Sequence, residues 1–141
     1  MGEYCFGEVA KPGRHGMMSA RVMIVEDEAI TAMATGAMLK RLGHTVMAAV
    51  ASGEAAVEVF RRERPDLVLM DIRLNGDLDG IETARILRRD TDVPVVFVSA
   101  YIDDQTRRRA DETQPFAFIP KPLDEYDLHE LFDRLQGDAA R

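Results

Sequence analysis

Five short apolar runs alternate with five stretches of helical character, and this alternation limits the fold more than any other feature of the chain. The runs occupy residues 21–25, 45–51, 66–70, 95–98 and 116–119. Short apolar runs between turn residues are typical of strands buried on both faces of a parallel sheet. Strict alternation with helices places those helices on both faces of the sheet. Because crossover connections are right-handed, we predict an α/β fold with a doubly wound five-stranded parallel sheet in the order 2-1-3-4-5.

The helices follow from apolar spacing and from capping residues. After the first strand, apolar residues at helical spacing predict the inner face of the first helix: Ile30, Met33, Ala34, Ala37, Met38 and Leu42. Ser52 is expected to cap the second helix. Its predicted inner face consists of Ala55, Ala56, Val59 and Phe60. The third and fourth helices are predicted at residues 81–89 and 103–113, the fourth with few apolar residues. Asp124 caps the last helix, whose apolar stripe consists of Leu128, Leu131, Phe132 and Leu135.

We predict one folded domain over residues 21–137, between two tails. Residues 1–20 show no periodicity, so they are predicted to form a flexible N-terminal tail, in which Met17 or Met18 is an alternative start. Residues 138–141 form a short C-terminal tail. A length of 141 residues suits a single domain, and the hydrophobic fraction of 46% supplies enough apolar material for one core.

Bulk properties exclude several classes of partner. The net charge of -7 gives no general attraction to nucleic acid or to an anionic membrane. No apolar run approaches the roughly 20 residues that a membrane-spanning helix needs. Cys5 is the single cysteine, which excludes an intramolecular disulfide and fits a reducing compartment. The N-terminus also lacks the apolar core of a signal peptide. We therefore expect a cytoplasmic protein with no direct nucleic-acid or membrane partner.

The third apolar run ends abruptly in a carboxylate, Asp71. In open α/β sheets, ligands bind at the carboxyl edge of the strands, and this position places Asp71 there. We interpret Asp71 as the reactive centre. The alternative is that its side chain merely caps or turns the loop that follows.

Two further carboxylates are predicted beside Asp71. Glu26 and Asp27 follow the first strand, which neighbours the third in the predicted order. Clustered carboxylates repel unless they are protonated or neutralised by a cation, and hard oxygen ligands suit Mg²⁺. The alternative is that acidic residues cap the first helix, whose dipole favours them there. We prefer capping for Glu28 and a magnesium site for Glu26 and Asp27.

Polar residues also follow the fourth and fifth strands. Ser99 and Lys121 end these strands at the same sheet edge as Asp71. Each alone is an ordinary surface residue, and only the shared edge distinguishes them. A hydroxyl, an ammonium group and a metal around one carboxylate form a set of groups that handles phosphoryl chemistry, because the cations offset phosphate charge and the hydroxyl donates to a phosphate oxygen.

Two other features are assigned no site. The basic run at residues 107–109 is interpreted as a solvated helix face, since the acidic total disfavours a nucleic-acid role. His15, His44 and His129 are scattered and lack ligand spacing with one another or with a cysteine.

Five short motifs, in their order and spacing, resemble the receiver domain of two-component response regulators. They are VEDE at 25–28, LVLMDI at 67–72, DGIE at 79–82, VSA at 98–100 and PKP at 120–122. Each motif alone is weak, but together they are highly specific. The resemblance extends from about residue 21 to residue 135 and implies a flavodoxin-like fold.

The resemblance implies a role for each residue at the sheet edge. Asp71 would accept a phosphoryl group from the phosphohistidine of a sensor histidine kinase or a histidine phosphotransfer protein. Asp27 is similar to the direct Mg²⁺ ligand and Glu26 to the ligand that acts through water. The Arg73 backbone carbonyl would complete the metal site.

The resemblance also implies a switch. Ser99 corresponds to the hydroxyl that moves on activation, Phe118 to the aromatic residue that rotates, and Lys121 to the lysine that pairs with phosphate. The Lys121–Pro122 peptide bond is often cis in this family. The expected output surface consists of the fourth helix, the fifth strand and the fifth helix, and it would contact a downstream protein. The resemblance leaves open a homodimer that forms on phosphorylation.

The sequence departs from the common family pattern after Asp71. The loop reads DIRLNGDLDG, without the usual proline and with one extra residue, Gly76 or Asp77. We expect a longer loop that leaves Asp71 in place. Arg73 and Tyr101 lie where family members tune the lifetime of the phosphoryl group.

Three functions compete at this point. We favour a non-enzymatic signalling module controlled by phosphorylation. A second is a phosphohydrolase with an aspartyl-phosphate intermediate, but such enzymes usually carry a second aspartate two residues after the nucleophile, where this chain has Arg73. A third is a receiver that forms part of a longer regulator with a DNA-binding or enzymatic output domain.

Overall fold

A computed structural model of the protein describes residues 19–100 and 102–139, with side chains described as far as Gly137. Most of the predicted N-terminal tail and Tyr101 therefore lie outside the described residues. The strands are β1 (Arg21–Val25), β2 (Thr45–Val50), β3 (Leu67–Met70), β4 (Val95–Ser99) and β5 (Ala117–Pro120). The helices are α1 (Ala29–Arg41), α2 (Gly53–Arg62), α3 (Gly80–Asp90), α4 (Asp104–Glu112) and α5 (Glu125–Ala139). Helix α5 thus runs two residues past the boundary predicted at residue 137.

The strands form one parallel sheet in the order β2-β1-β3-β4-β5, which confirms the predicted topology. In the register of β1 and β3, Val25 lies opposite Met70, so these two strands end side by side. In the register of β4 and β5, Ser99 lies opposite Pro120. The residues that follow β1, β3, β4 and β5 therefore share one edge of the sheet.

The sheet separates two apolar layers. Strands β3 and β4 are buried along their whole length, as expected for the centre of a parallel sheet. Alternate side chains point to opposite faces. One face packs against α2 and α3 through Met23, Val68, Met70, Phe97, Phe60 and Ile81, among others. The other face packs against α1 and α5 through Val22, Ile24, Leu67, Leu69, Leu39 and Leu128, among others.

The predicted inner face of α1 is largely wrong, because only Met38 and Leu42 of its six residues are partly buried and packed against the core. Ile30 and Met33, both assigned to that face, are 83% and 73% exposed. The buried residues of α1 are Thr35, Gly36 and Leu39. Apolar residues surround almost the whole helix, so hydrophobic spacing does not select one face. The small residues at 35 and 36 instead allow α1 to lie close to the sheet, where a Cβ on Gly36 would be 3.6 Å from Val46.

The predictions for α2, α4 and α5 are mostly confirmed. Ser52 caps α2 by accepting a hydrogen bond from the Ala55 amide at 3.1 Å, as predicted. Ala55 and Val59 are only partly buried, however, and Val57 takes a buried place that was not predicted. The predicted stripe of α5 is buried at all four positions: Leu128, Leu131, Phe132 and Leu135. Helix α4 buries only Ala110, which confirms its weakly apolar character.

Candidate functional site

Three carboxylates meet where β1 and β3 end. Glu26, Asp27 and Asp71 each offer an oxygen atom, and these atoms lie within 4.8 Å of one another. Glu26 and Asp71 are buried, and Asp27 is partly exposed. The sheet ladder fixes the two buried residues, because the Glu26 amide donates to the Val50 carbonyl and the Asp71 amide to the Val25 carbonyl. The neighbouring strand ends thus bring these carboxylates together, as the sequence predicts.

Lys121 bridges the two buried carboxylates. Its Nζ lies 2.8 Å from Glu26 Oε1 and 2.9 Å from Asp71 Oδ2. Burial raises the pKa of Glu26, and the nearby charge of Asp71 adds to this shift, although hydrogen bonds from Lys121 and the Glu28 amide oppose it. Burial lowers the pKa of Lys121, but its bonds to Glu26 and Asp71 outweigh burial and leave that pKa raised. Lys121 is therefore a firmly held cation at this site. The Lys121–Pro122 peptide bond is cis, in agreement with the resemblance.

The other oxygen of Asp71 receives two hydrogen bonds. The Ser99 hydroxyl donates to Asp71 Oδ1 at 3.1 Å, and the Arg73 amide donates to the same oxygen at 3.2 Å. Ser99 is only 1% exposed, so its hydroxyl depends on this acceptor inside the protein. Both oxygens of Asp71 therefore have fixed donors, and the carboxylate is held in one orientation.

These residues line an open pocket of about 420 Å³. The lining consists of Asp27, Glu28, Asp71, Arg73, Asn75, Ser99, Ala100 and Lys121. Asn75 did not emerge from the sequence as a site residue. It lies in the loop with the extra residue, and only that departure from the family pattern could have pointed to it.

Glu28 takes the N-cap position of α1, but its side chain makes no capping hydrogen bond. Its carboxylate instead accepts a hydrogen bond from the Thr31 hydroxyl at 3.1 Å. Its amide donates to Glu26 Oε2 at 3.0 Å. The predicted capping role is thus limited to backbone position, and the Glu28 amide helps to orient Glu26.

Phe118 lies on β5, away from the carboxylate cluster. Its ring is tilted against Phe97, with the ring centroids 6.5 Å apart, and it is partly exposed. The guanidinium of Arg107 covers the ring at 4.4 Å from the centroid. The structure therefore does not place Phe118 among the pocket residues, and its predicted role depends on movement.

The charge balance of the cluster suits a divalent cation. Three carboxylates and one ammonium group leave a formal charge of two negative units, and hard oxygen ligands with an open side are the environment that Mg²⁺ prefers. Among the described residues, this is the acidic cluster with the geometry to hold a metal ion.

Comparison with known proteins identifies the family of this chain. The response regulator receiver domain matches residues 22–133, which is most of the sequence. The chain belongs to this family. It is 32% identical over 108 residues to the transcriptional regulatory protein PdtaR of Mycobacterium tuberculosis, a match that covers 77% of this chain and 52% of PdtaR. The chain spans about half the length, or less, of the curated relatives it matches.

Solved receiver domains share the fold. The signal receiver domain of a modulated diguanylate cyclase from Desulfovibrio desulfuricans superposes with a TM-score of 0.77 at 36% identity, covering 82% of this chain and 91% of that one. The PhyR receiver domain from Erythrobacter litoralis superposes with a TM-score of 0.73 at 30% identity, covering 84% and 90% of the two chains. These similarities place the chain in two-component signalling. Within its described helices, none is both long and apolar enough to cross a membrane.

Proposed function

We propose that this receiver domain accepts a phosphoryl group on Asp71 from the phosphohistidine of a sensor histidine kinase or a histidine phosphotransfer protein. Transfer depends on Mg²⁺ and alters a protein-binding surface formed by α4, β5 and α5. The main support is the environment of Asp71, a buried carboxylate with fixed donors on both oxygens and two further carboxylates within reach. Acceptor, cation site and charge-pairing lysine thus share one pocket.

The transfer is a displacement at phosphorus. An oxygen of Asp71 attacks the phosphorus, the bond from phosphorus to the histidine nitrogen breaks, and the imidazole leaves with that electron pair. Asp27 and Asp71 would hold Mg²⁺ directly, Glu26 would act through water, and the Arg73 carbonyl would complete the set. When bound, Mg²⁺ neutralises charge on the transferring phosphoryl oxygens.

Lys121 and Ser99 would exchange partners during the transfer. Lys121 can turn from Asp71 Oδ2 to a phosphoryl oxygen while Glu26 continues to hold it at 2.8 Å. The Ser99 hydroxyl can move from Asp71 Oδ1 to another phosphoryl oxygen. Both groups then stabilise the product by charge-assisted hydrogen bonds.

The movement of Ser99 links the pocket to the output surface. Ser99 ends β4, and the neighbouring strand β5 carries Phe118. When Ser99 moves toward the phosphoryl group, it vacates space into which Phe118 can turn. Helix α4 follows the Ser99 strand and has one buried residue, Ala110, so it can shift at little cost. A packing change of this kind converts a local charge change into a surface change.

The donor protein would contact the exposed apolar side of α1. An open groove of about 500 Å³ runs from Asp71 and Lys121 past Ile30 to Met38 and Leu123. Ile30 and Met33 lie on α1 with most of their surface in solvent. A phosphohistidine can reach Asp71 only if its carrier packs close to the pocket, and this apolar surface adjoins the opening.

A receiver that forms part of a longer regulator is the alternative, since the chain spans only about half of PdtaR. A phosphohydrolase is less well supported, because Arg73 stands where such an enzyme would carry its second aspartate. Turnover of a chromogenic phosphate ester that depends on Asp71 would reverse this order.

Intact mass spectrometry tests the proposal. The wild-type protein, treated with a small acyl-phosphate donor and Mg²⁺, should gain the mass of one phosphoryl group. The Asp71→Asn variant should gain none, and a chelator should abolish the gain in the wild type. An equal gain in Asp71→Asn, or a gain unaffected by the chelator, would show that the assignment is wrong.

A further inference from the structure

The loop between β3 and α3 is closed tightly at its base. The Gly80 amide donates to the Ile72 carbonyl at 2.7 Å. A Cβ on Gly80 would overlap the carbonyl oxygen of Asp71, so only glycine allows this approach. Asp79 and Glu82 then form a reciprocal capping box at the start of α3. The two ends of the loop are therefore fixed next to Asp71.

The far end of the same loop is held by Glu54, on the first turn of α2. Glu54 Oε2 accepts hydrogen bonds from the Asp77 amide at 3.0 Å and the Leu78 amide at 3.1 Å. Gly76 has a φ of +106°, and a Cβ there would lie 3.0 Å from Glu54 Oε1. The loop with the extra residue thus wraps around this carboxylate.

Glu54 itself stands on an element that cannot easily move. The neighbouring Gly53 is buried, and a Cβ there would overlap the Thr83 hydroxyl of α3. Thr83 in turn donates to the Asp79 carbonyl at 2.8 Å. The start of α2 and the start of α3 are therefore in direct contact, and the Glu54 carboxylate is presented to the loop from a fixed base.

Two residues between the base and the far end of the loop belong to the pocket lining. These are Arg73 and Asn75, and the Arg73 amide is bonded to Asp71 Oδ1. The Arg73 carbonyl is the proposed backbone ligand of the cation. Mg²⁺ requires near-ideal octahedral geometry, with ligands at about 2.0–2.1 Å, so a small displacement of this carbonyl weakens binding.

We propose that Glu54 is a positioning residue for the metal site, because it fixes the β3–α3 loop and thereby the Arg73 carbonyl. This inference rests on the proposed function. Glu54 acts through the loop and does not reach the pocket lining itself. The β3–α3 loop is long and lacks a proline that would stiffen it, so the hydrogen bonds to Glu54 would hold it in place.

Three substitutions separate position from charge. Glu54→Ala removes the acceptor and should weaken Mg²⁺ binding roughly tenfold, the scale seen when outer-shell partners of metal ligands are lost. Glu54→Asp keeps the charge but shortens the reach, so it should weaken binding similarly. Glu54→Gln keeps an acceptor oxygen at the same position and should remain close to the wild type.

Glu58→Ala is the matched control, because it removes the same charge from the same helix. Glu58 is exposed, and its carboxylate lies 3.8 Å from the guanidinium of Arg62 on the same helix. The Glu58→Ala variant should bind Mg²⁺ with the affinity of the wild type. Calorimetric titration with Mg²⁺ alone gives the affinities, and amide hydrogen exchange at Asp77 and Leu78 reports the anchor directly. Those two amides should lose protection in Glu54→Ala and Glu54→Asp only.

The outcomes are distinct. Equal weakening in Glu54→Gln and Glu54→Ala would indicate a long-range charge effect and overturn the inference. Wild-type affinity in Glu54→Asp, with lost protection at Asp77 and Leu78, would show that the anchor is irrelevant to the metal. If Glu54→Ala does not fold, the Asp and Gln variants decide the question. Failure of the proposed function looks different, because the wild type itself would then bind no Mg²⁺ or accept no phosphoryl group on Asp71.

Discussion

The guanidinium of Arg107 lies over the ring of Phe118, with 4.4 Å between its central carbon and the ring centroid. Arg107 is also bonded to Asp111 one turn later on α4, with 3.3 Å between Nε and Oδ1. A cation–π contact at an exposed site is worth about 0.5–1 kcal/mol. Helix α4 buries only Ala110, and the cation–π contact is a further link between α4 and β5. If Phe118 turns toward Ser99, it loses the cation–π contact with Arg107.

We expect beryllofluoride with Mg²⁺, a stable phosphoryl mimic, to change amide hydrogen exchange most at residues 99–126 and little in α2. The reason is that Ser99, Phe118 and α4 form the proposed route from the pocket. Ser99→Ala should still bind the mimic but transmit less of the change. A response confined to α2, or one undiminished in Ser99→Ala, would contradict this route.

The same experiment tests the Arg107 contact. Arg107→Gln should raise exchange in α4 before any mimic is added, because the cation over Phe118 is lost. Arg108→Gln, at an exposed neighbouring position, is the control and should leave exchange in α4 unchanged. Equal effects from the two substitutions would indicate a general effect of charge on the helix.

Asp27→Ala should weaken Mg²⁺ binding far more than Glu28→Ala. Asp27 belongs to the cluster of three carboxylates, whereas the Glu28 carboxylate accepts from Thr31 on α1. Removing one anionic ligand takes away a large share of the attraction for a hard cation. Titration of both variants with Mg²⁺ measures the difference, and equal losses would place the metal elsewhere.

The sequence predicts the pocket well because its residues follow strands. In a parallel sheet, a carboxylate or lysine after an apolar run must lie at one edge, so Asp71 and Lys121 converge whatever the loops do. The inner face of α1 could not be predicted, since the strongly apolar Ile30 and Met33 are exposed while the less apolar Thr35 and Gly36 are buried. The hydrogen bonds from the Asp77 and Leu78 amides to Glu54 join residues 23 and 24 positions apart in the sequence, and no local sequence pattern predicts them.

His44 also escaped prediction, and it makes stability depend on pH. Its Nδ1 accepts a hydrogen bond from the Ala20 amide at 3.0 Å, and its ring is stacked on Phe132 with centroids 3.7 Å apart. Burial lowers the pKa of His44 to about 4 from an ordinary value of 6.5. Between these two pH values the unfolded chain therefore binds a proton on His44 that the folded protein does not. The stability gained by burying neutral His44 is complete above pH 6.5 and is lost as pH falls toward 4.

His44→Asn keeps an acceptor near the position of Nδ1 but removes the titration. Chemical denaturation at several pH values gives the free energy of unfolding of both proteins. Between pH 7 and pH 4, this free energy should fall by up to about 3 kcal/mol more in the wild type than in His44→Asn. His129→Asn, at an exposed position on α5, serves as the control and should follow the wild type. A constant difference between wild type and His44→Asn would refute the prediction.

Gly80→Ala should destabilise the protein by about 3 kcal/mol, as expected for forced overpacking. The new Cβ would overlap the Asp71 carbonyl oxygen and lie 2.8 Å from the Ile72 Cα, so the backbone next to Asp71 must shift. Gly137→Ala is the matched control, because a Cβ there meets no atom within 4 Å. In a helix that change should stabilise by up to about 1 kcal/mol. Thermal unfolding of both variants provides the comparison, and similar behaviour would contradict the packing described here.

Ile30→Ser and Met33→Ser should slow phosphoryl transfer from a protein donor without affecting transfer from a small one. Both side chains are exposed on α1, and Ile30 lines the groove that opens at Asp71 and Lys121. An apolar side chain buried at an interface contributes about 1.5–3 kcal/mol, so its loss should reduce donor affinity by at least tenfold. The measurement compares transfer from a phosphorylated histidine phosphotransfer protein with labelling by acetyl phosphate.

The two donors separate docking from chemistry. Acetyl phosphate needs only the pocket, so both variants should be labelled at the wild-type rate. Tyr126→Ser, which removes a large exposed side chain from α5, is the control for a general loss of surface apolarity. If all three substitutions slow the protein donor equally, the exposed side of α1 is not the contact surface. If labelling by acetyl phosphate falls as well, Ile30 and Met33 support the pocket itself, and the docking role proposed for their exposed side chains is wrong.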